Sequence, residues 1–338
     1  MGWHSQPLRT RYHKEAEMEK EEIRQQKTAI KIDHVSKWFG KRKVVDDLSL
    51  ETYAGEVFGF LGPNGAGKTT TIKMAVGLIC IDEGTISICG ADVERQFESA
   101  MAYVGGIVEN PEMYKYMTGM QNLRQYARMR KGVTEERIQE VVELVGLSNR
   151  IQEKISRYSL GMRQRLGVAQ ALLHHPRVLI LDEPTNGLDP AGIRGLRDIL
   201  RNIAHKEGIC VMVSSHLMSE MQLMCDRVGI IVNGKLVQVT SVEELVQDGS
   251  VTGGRYRYHV SDSERAAQII AGFQTASVME TDPGHLEMRL KAGQETALPE
   301  INRKLILNGI ELYTVAPVEG QKLEDAFIEL TKGDGQIA

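Results

Sequence analysis

The order of apolar and polar positions changes character three times along the chain. From Ala29 it runs in short β-rich stretches: AIKIDHVSK, VVDDLSLETY and then VFGFLG, which ends in glycine. Their alternation and bounding turn residues predict strands. A helix-length stretch begins at Lys68, and GTISICG reads as a further strand between glycines. Residues 119–150 switch to helical spacing, with Met120, Leu123, Tyr126 and Ala127 on one face and Ile138, Val141, Val142 and Val145 on another. Such stripes predict core packing. RVLILDEP and GICVMVSS then supply apolar runs typical of parallel strands buried on both faces. Helical segments separate them, which predicts βαβ units and an α/β fold.

Near residue 240 the pattern changes again. RYRYHV, ERAAQIIAGF, SVMET, HLEMRL, ALPEINRKLILNG and IELYTVAP read as β-α-β-β-α-β. That order predicts a small ferredoxin-like α+β appendix, and KLEDAFIELT reads as a closing amphipathic helix. The expected organisation is therefore a charged extension over residues 1–28, a main α/β domain over 29–240 with a helical subdomain at about 110–172, and an accessory domain over 241–338. Two compact units also suit a chain of 338 residues.

Composition narrows the classes. A formal net charge of -4 gives no reason to expect a bulk nucleic-acid binder, which carries a basic excess. Cys80, Cys89, Cys210 and Cys225 form no CxxC pair and no metal-type spacing, so they are expected as core thiols in a reducing compartment. No apolar run approaches a membrane span. The N-terminal stretch MGWHSQPLRTRYHKEAEMEK lacks the apolar region of a signal peptide, so a cytosolic chain is expected.

Candidate chemistry begins at Gly62-Pro63-Asn64-Gly65-Ala66-Gly67-Lys68-Thr69-Thr70, which fits GxxxxGK[ST] between a strand and a helix. Glycines there let successive backbone N–H groups converge on phosphate oxygens, and the helix adds its positive N-terminal end. Lys68 is expected to bridge the β- and γ-phosphates, and Thr69 to offer its hydroxyl to Mg2+. VLILDEP ends a buried strand in Asp182 and Glu183. Two adjacent carboxylates repel unless their roles divide. Asp182 is the expected Mg2+ partner, and Glu183 the acceptor of a proton from attacking water.

RYSLGMRQRL poses a different problem, because no histidine or acid nearby could activate Ser159. Taken with the two motifs above, this segment makes residues of about 30–240 resemble the ATP-binding subunit of an ABC transporter. The family signature LSGGQ stands here as Tyr158-Ser159-Leu160-Gly161-Met162, with three of five positions departing from it. The resemblance implies that Ser159 and Gly161 cap the γ-phosphate of an ATP held by the opposite subunit. Ser159 then needs no base, because it is a hydrogen-bond donor and not a nucleophile. The resemblance also implies roles for Asp189 in TNGLDP, facing the partner's phosphate loop, and for His216 in SSH, reading the γ-phosphate. Phe39 occupies the position of the adenine-stacking aromatic, with Trp38 a near alternative.

Glu109 stands where most of the family has glutamine. An ionised glutamate only accepts hydrogen bonds, so it could coordinate Mg2+ or orient water but would resist phosphate oxygens. Glu109 and Met162 together resemble the bacitracin- and lantibiotic-resistance branch of export ATPases. The implied function is an ATP-hydrolysing motor, using ATP and Mg2+, that drives a separate integral membrane permease from the cytoplasmic face of the membrane. A second ATP-binding subunit, identical or related, would complete each nucleotide site. Met113, Tyr114, Tyr116 and Met117 in NPEMYKYMTG offer an apolar face for the permease. The rival class is a soluble ABC ATPase acting on ribosomes or nucleic acid. Against it stands the single phosphate loop, where the ribosome-acting type carries two cassettes. A P-loop GTPase or kinase lacks a use for the Ser159 segment, and no NKxD-type motif is present.

Overall fold

The computed structural model of the chain describes residues 28–109, 111–243, 255–291 and 295–317. The chain divides into two compact units between Thr240 and Ser241. The charged segment before Thr28 and KLEDAFIELT, read above as a closing helix, lie outside the described residues.

The first unit holds two sheets. An antiparallel sheet of order β2-β1-β4-β5 is made by β1 (Thr28–Phe39), β2 (Arg42–Tyr53), β4 (Glu83–Ile88) and β5 (Ala91–Asp92). The second sheet has six strands: β3 (Val57–Leu61), β6 (Val104–Ile107), β7 (Val178–Leu181), β8 (Cys210–Ser215), β9 (Arg227–Val232) and β10 (Lys235–Ser241). Their order is β10-β9-β3-β8-β7-β6, and the pairs from β9 through β6 are parallel. Every residue of β3, β7 and β8 is buried, which is why these segments read as continuous apolar runs. Both sheets contribute to one core: Ile30, Leu48 and Ile86 pack in the same cluster as Phe58, Ile180 and Met212. Burying such side chains stabilises by about 1.5–3 kcal/mol each.

Among the described residues, seven helices of six to eighteen residues belong to this unit: α1 (Lys68–Ala75), α2 (Phe97–Ala102), α3 (Gly119–Arg128), α4 (Glu135–Leu144), α5 (Leu160–Leu172), α6 (Pro190–Glu207) and α7 (Met218–Met224). Between β6 and β7 the chain is helical. Thr118 starts α3 with a capping box, accepting from Gln121 N at 3.1 Å while its own N–H donates to Gln121 Oε1 at 2.9 Å. Met120, Leu123 and Ala127 are buried on α3, as are Ile138, Val141 and Val142 on α4. Tyr126 departs from its expected burial: it is half-buried, and its hydroxyl donates to Glu112 O at 2.6 Å. A phenol at the rim keeps its polar end wet.

The second unit follows β11 (Arg255–Val260), α8 (Ser263–Ala271), β12 (Ala276–Asp282), β13 (His285–Leu290), α9 (Leu298–Leu307) and β14 (Leu312–Pro317). The sheet order is β12-β13-β11-β14, and each neighbouring pair is antiparallel. Tyr258, Ile270, Leu286, Met288, Ile301 and Leu305 form its own core. Among the described residues no helix is long and apolar enough to cross a membrane. The cysteines are free but not uniformly internal: Cys210 and Cys225 are buried, Cys89 is half-buried and Cys80 is exposed. Burial pushes the Cys210 thiol up to about 12, which keeps it protonated and inert.

Candidate functional site

Because β3, β7, β8 and β6 run parallel, the segments that leave them emerge at one edge of the sheet. The loop Gly62–Gly67 leaves β3, Asp182 and Glu183 leave β7, His216 leaves β8, and Glu109 leaves β6. The first three segments enclose a cavity of about 290 Å3, lined by Val44, Asn64, Gly65, Ala66, Gly67, Lys68, Thr69, Thr70, Glu183, Asn186 and His216.

The loop requires its glycines. Gly67 has φ 108, a conformation that side chains oppose, and a Cβ there would lie 2.8 Å from Val44 O. A Cβ on Gly62 would lie 2.3 Å from Ile231 O. The backbone is thus pressed against β2 and β9, with Gly62 N donating to Ser215 O at 3.4 Å and Ala66 N to Pro63 O at 3.2 Å. Lys68 opens α1 and is only 5% exposed. Its ammonium donates to Gly62 O at 2.6 Å and Pro63 O at 3.2 Å and lies 3.5 Å from Glu183 Oε1. A buried cation needs such partners.

Glu183 carries the strain. Its φ is 47, in the left-handed region, at a residue with a full side chain. Ser214 Oγ accepts from Glu183 N at 2.9 Å and donates to Asp182 Oδ1 at 2.6 Å. His216 Nδ1 lies 2.8 Å from Glu183 Oε2, so against the carboxylate Nδ1 is the protonated nitrogen. Thr69 Oγ1 donates to the other side of the pair, Asp182 Oδ1, at 3.3 Å.

A hydroxyl and a carboxylate beside a cradle of amides are hard oxygen donors of the kind that bind Mg2+ together with phosphate oxygens. The glycine cradle, the lysine and the donor set fit a nucleoside triphosphate with its metal.

The remaining expected residues stand apart from the cavity lining. Phe39 is 52% exposed at the end of β1, with the Lys37 ammonium 5.8 Å from its ring centroid. Trp38 is half-buried under the Lys43 ammonium at 4.6 Å. Glu109, with φ 70, is exposed and paired to Lys73 at 2.9 Å. Ser159 is the N-cap of α5, accepting from Met162 N at 3.2 Å, and Asp189 is the N-cap of α6, accepting from Gly192 N at 3.0 Å. The two caps belong to adjoining segments: a Cβ on Gly161 would lie 3.7 Å from Gly192 Cα and 3.8 Å from a Leu188 methyl. Both Ser159 and Asp189 are exposed.

A family model for ABC transporters matches residues 45–186. The ABC transporter ATP-binding protein YhcH of Bacillus subtilis (strain 168) is 48% identical over 305 residues, covering 90% of this chain and 96% of that protein. The chain belongs to the ABC transporter ATP-binding proteins. The bacitracin transport ATP-binding protein BcrA of Bacillus licheniformis is 37% identical over 308 residues, covering 90% of this chain and 98% of its own. A solved ATP-binding subunit of an ABC transporter superimposes with a TM-score of 0.58 at 28% identity, covering 65% of this chain and 93% of its own. As an ABC ATPase the chain hydrolyses ATP with Mg2+.

Sequence reasoning did not single out Ser214, Asn186, Val44 or Lys73. Ser214 lies near the end of β8, two residues before His216, which follows the strand; that nearness in sequence was the available signal.

Proposed function

We propose that this ATPase is the motor of an exporter, working on a separate integral membrane permease at the cytoplasmic face of the membrane. Two ATP-binding subunits close over ATP and separate after its hydrolysis. The observation that carries the reading is the division of the site. One chain gathers Lys68, Thr69, Glu183 and His216 around a cavity, with Asp182 bonded to Thr69, while Ser159 stays outside with its oxygen used as a cap and its O–H free to donate. A facing subunit's Ser159, Gly161 and Asp189 would complete what one subunit leaves open.

Within one subunit, the amides of Asn64, Gly65 and Gly67 hold the phosphates, and Lys68 exchanges its carbonyl partners for phosphate oxygens. Thr69 and Asp182 would hold Mg2+, which when bound would supply charge neutralisation. Phe39 stacks on the adenine, and Thr70 stays among the groups around the phosphates. Glu183 accepts a proton from water as the new O–P bond forms and the bond to ADP breaks. His216 fixes the Glu183 carboxylate, and Ser214 fixes its peptide. Export draws support from the bacitracin transport relative and from Glu109 and Met162. Tyr114 and Tyr116, 49% and 69% exposed, offer an aromatic surface for the permease.

The test is purification through this chain from a detergent extract. An integral membrane partner and ATP hydrolysis in one complex support the reading. Ribosomes or nucleic acid in place of the permease would replace it with the soluble alternative.

A further inference from the structure

The carboxyl edge of the sheet carries more negative charge than the nucleotide site uses. Ile107 on β6 pairs with Leu181 on β7, and Asp182 N donates to Ile107 O at 3.0 Å. Glu109 follows Ile107 on one strand just as Glu183 follows Leu181 on its neighbour. Three carboxylates therefore follow adjacent strands at the sheet edge that carries the phosphate loop, with Glu109 outside the cavity lining.

Two of the three have a lysine from a single helix. α1 supplies Lys68 to Glu183 at 3.5 Å and Lys73 to Glu109 at 2.9 Å. Lys73 stands at i+4 from Thr69, one turn along the same helix face, and Thr69 itself touches Asp182. The left-handed backbone of Glu109 is unfavourable for a residue with a Cβ, so something has to hold it there. Lys73 is more enclosed than its partner, with side-chain exposures of 32% and 67%.

We infer that Lys73 is a positioning residue for the ATP site, neutralising Glu109 and fastening it to the phosphate-loop helix so that this carboxylate does not repel the phosphates. The inference rests on the nucleotide-site reading above. It makes Lys73 necessary only while position 109 is charged. An exposed ion pair contributes little to folding, so the effect belongs in nucleotide affinity.

The test is the dependence of ATP hydrolysis on MgATP concentration, measured on the complex purified with the full chain. Lys73→Met should raise KM by about three- to fivefold and lower kcat less than that. Lys73→Arg, which keeps the charge, should retain the parental KM. Adding Glu109→Gln to Lys73→Met should return KM to that of Glu109→Gln alone, because no carboxylate then needs neutralising. A merely structural lysine would not be rescued by a change at position 109. An unmoved KM in Lys73→Met, or a double variant as impaired as the single one, overturns the inference. Absence of saturable ATP hydrolysis in the parental complex would instead remove the nucleotide-site reading itself.

Discussion

Glu183 draws contacts from three residues on two segments: Ser214 holds its peptide N–H, His216 one carboxylate oxygen, and Lys68 approaches the other. This arrangement keeps the carboxylate at the cavity wall despite an unfavourable φ. Glu183→Gln keeps the shape and removes the proton acceptor. It should therefore bind ATP as the parent does while turnover falls by about 10²–10⁴-fold, measured by nucleotide binding and phosphate release. Ser214→Ala removes a hydroxyl shared by Asp182 and the Glu183 peptide, and turnover should fall about tenfold with the fold retained by circular dichroism. The phosphate loop and the Asp182–Glu183 pair were legible because glycine spacing and a buried strand's end are local patterns. Ser214 and Lys73 were not, since their partners lie on other strands and only the folded sheet brings them within reach.

At the scale of elements, α5 shows how one serine serves two purposes. Ser159 accepts from Met162 N and so starts the helix, while its hydroxyl proton is unclaimed by that bond. These purposes separate by substitution. Ser159→Asp keeps an equally good cap, so the melting temperature should stay within about 2 °C. A carboxylate facing the partner's phosphates should nevertheless abolish ATP-dependent association, followed by light scattering. A variant that still associates would limit Ser159 to capping. Helical periodicity made α3 and α4 readable, and continuous apolar runs made β3, β7 and β8 readable. The periodicity did not distinguish Tyr126 from its buried neighbours, because only the Glu112 carbonyl explains why its ring turns to the rim.

For the whole molecule, the β-α-β-β-α-β succession of the second unit was legible in local signals along the chain, whereas the order of the six-stranded sheet pairs segments far apart in sequence and was not. What the accessory unit acts on has no such signal, and neither does cargo, which a motor subunit leaves to its permease. The central claim is that each ATP is completed by two subunits. The Glu183→Gln chain, which should hold ATP without consuming it, tests this most directly by sedimentation velocity with and without MgATP. The account predicts that MgATP converts it to a dimer and that ADP does not. A species whose mass is the same with ATP, ADP or no nucleotide would contradict it.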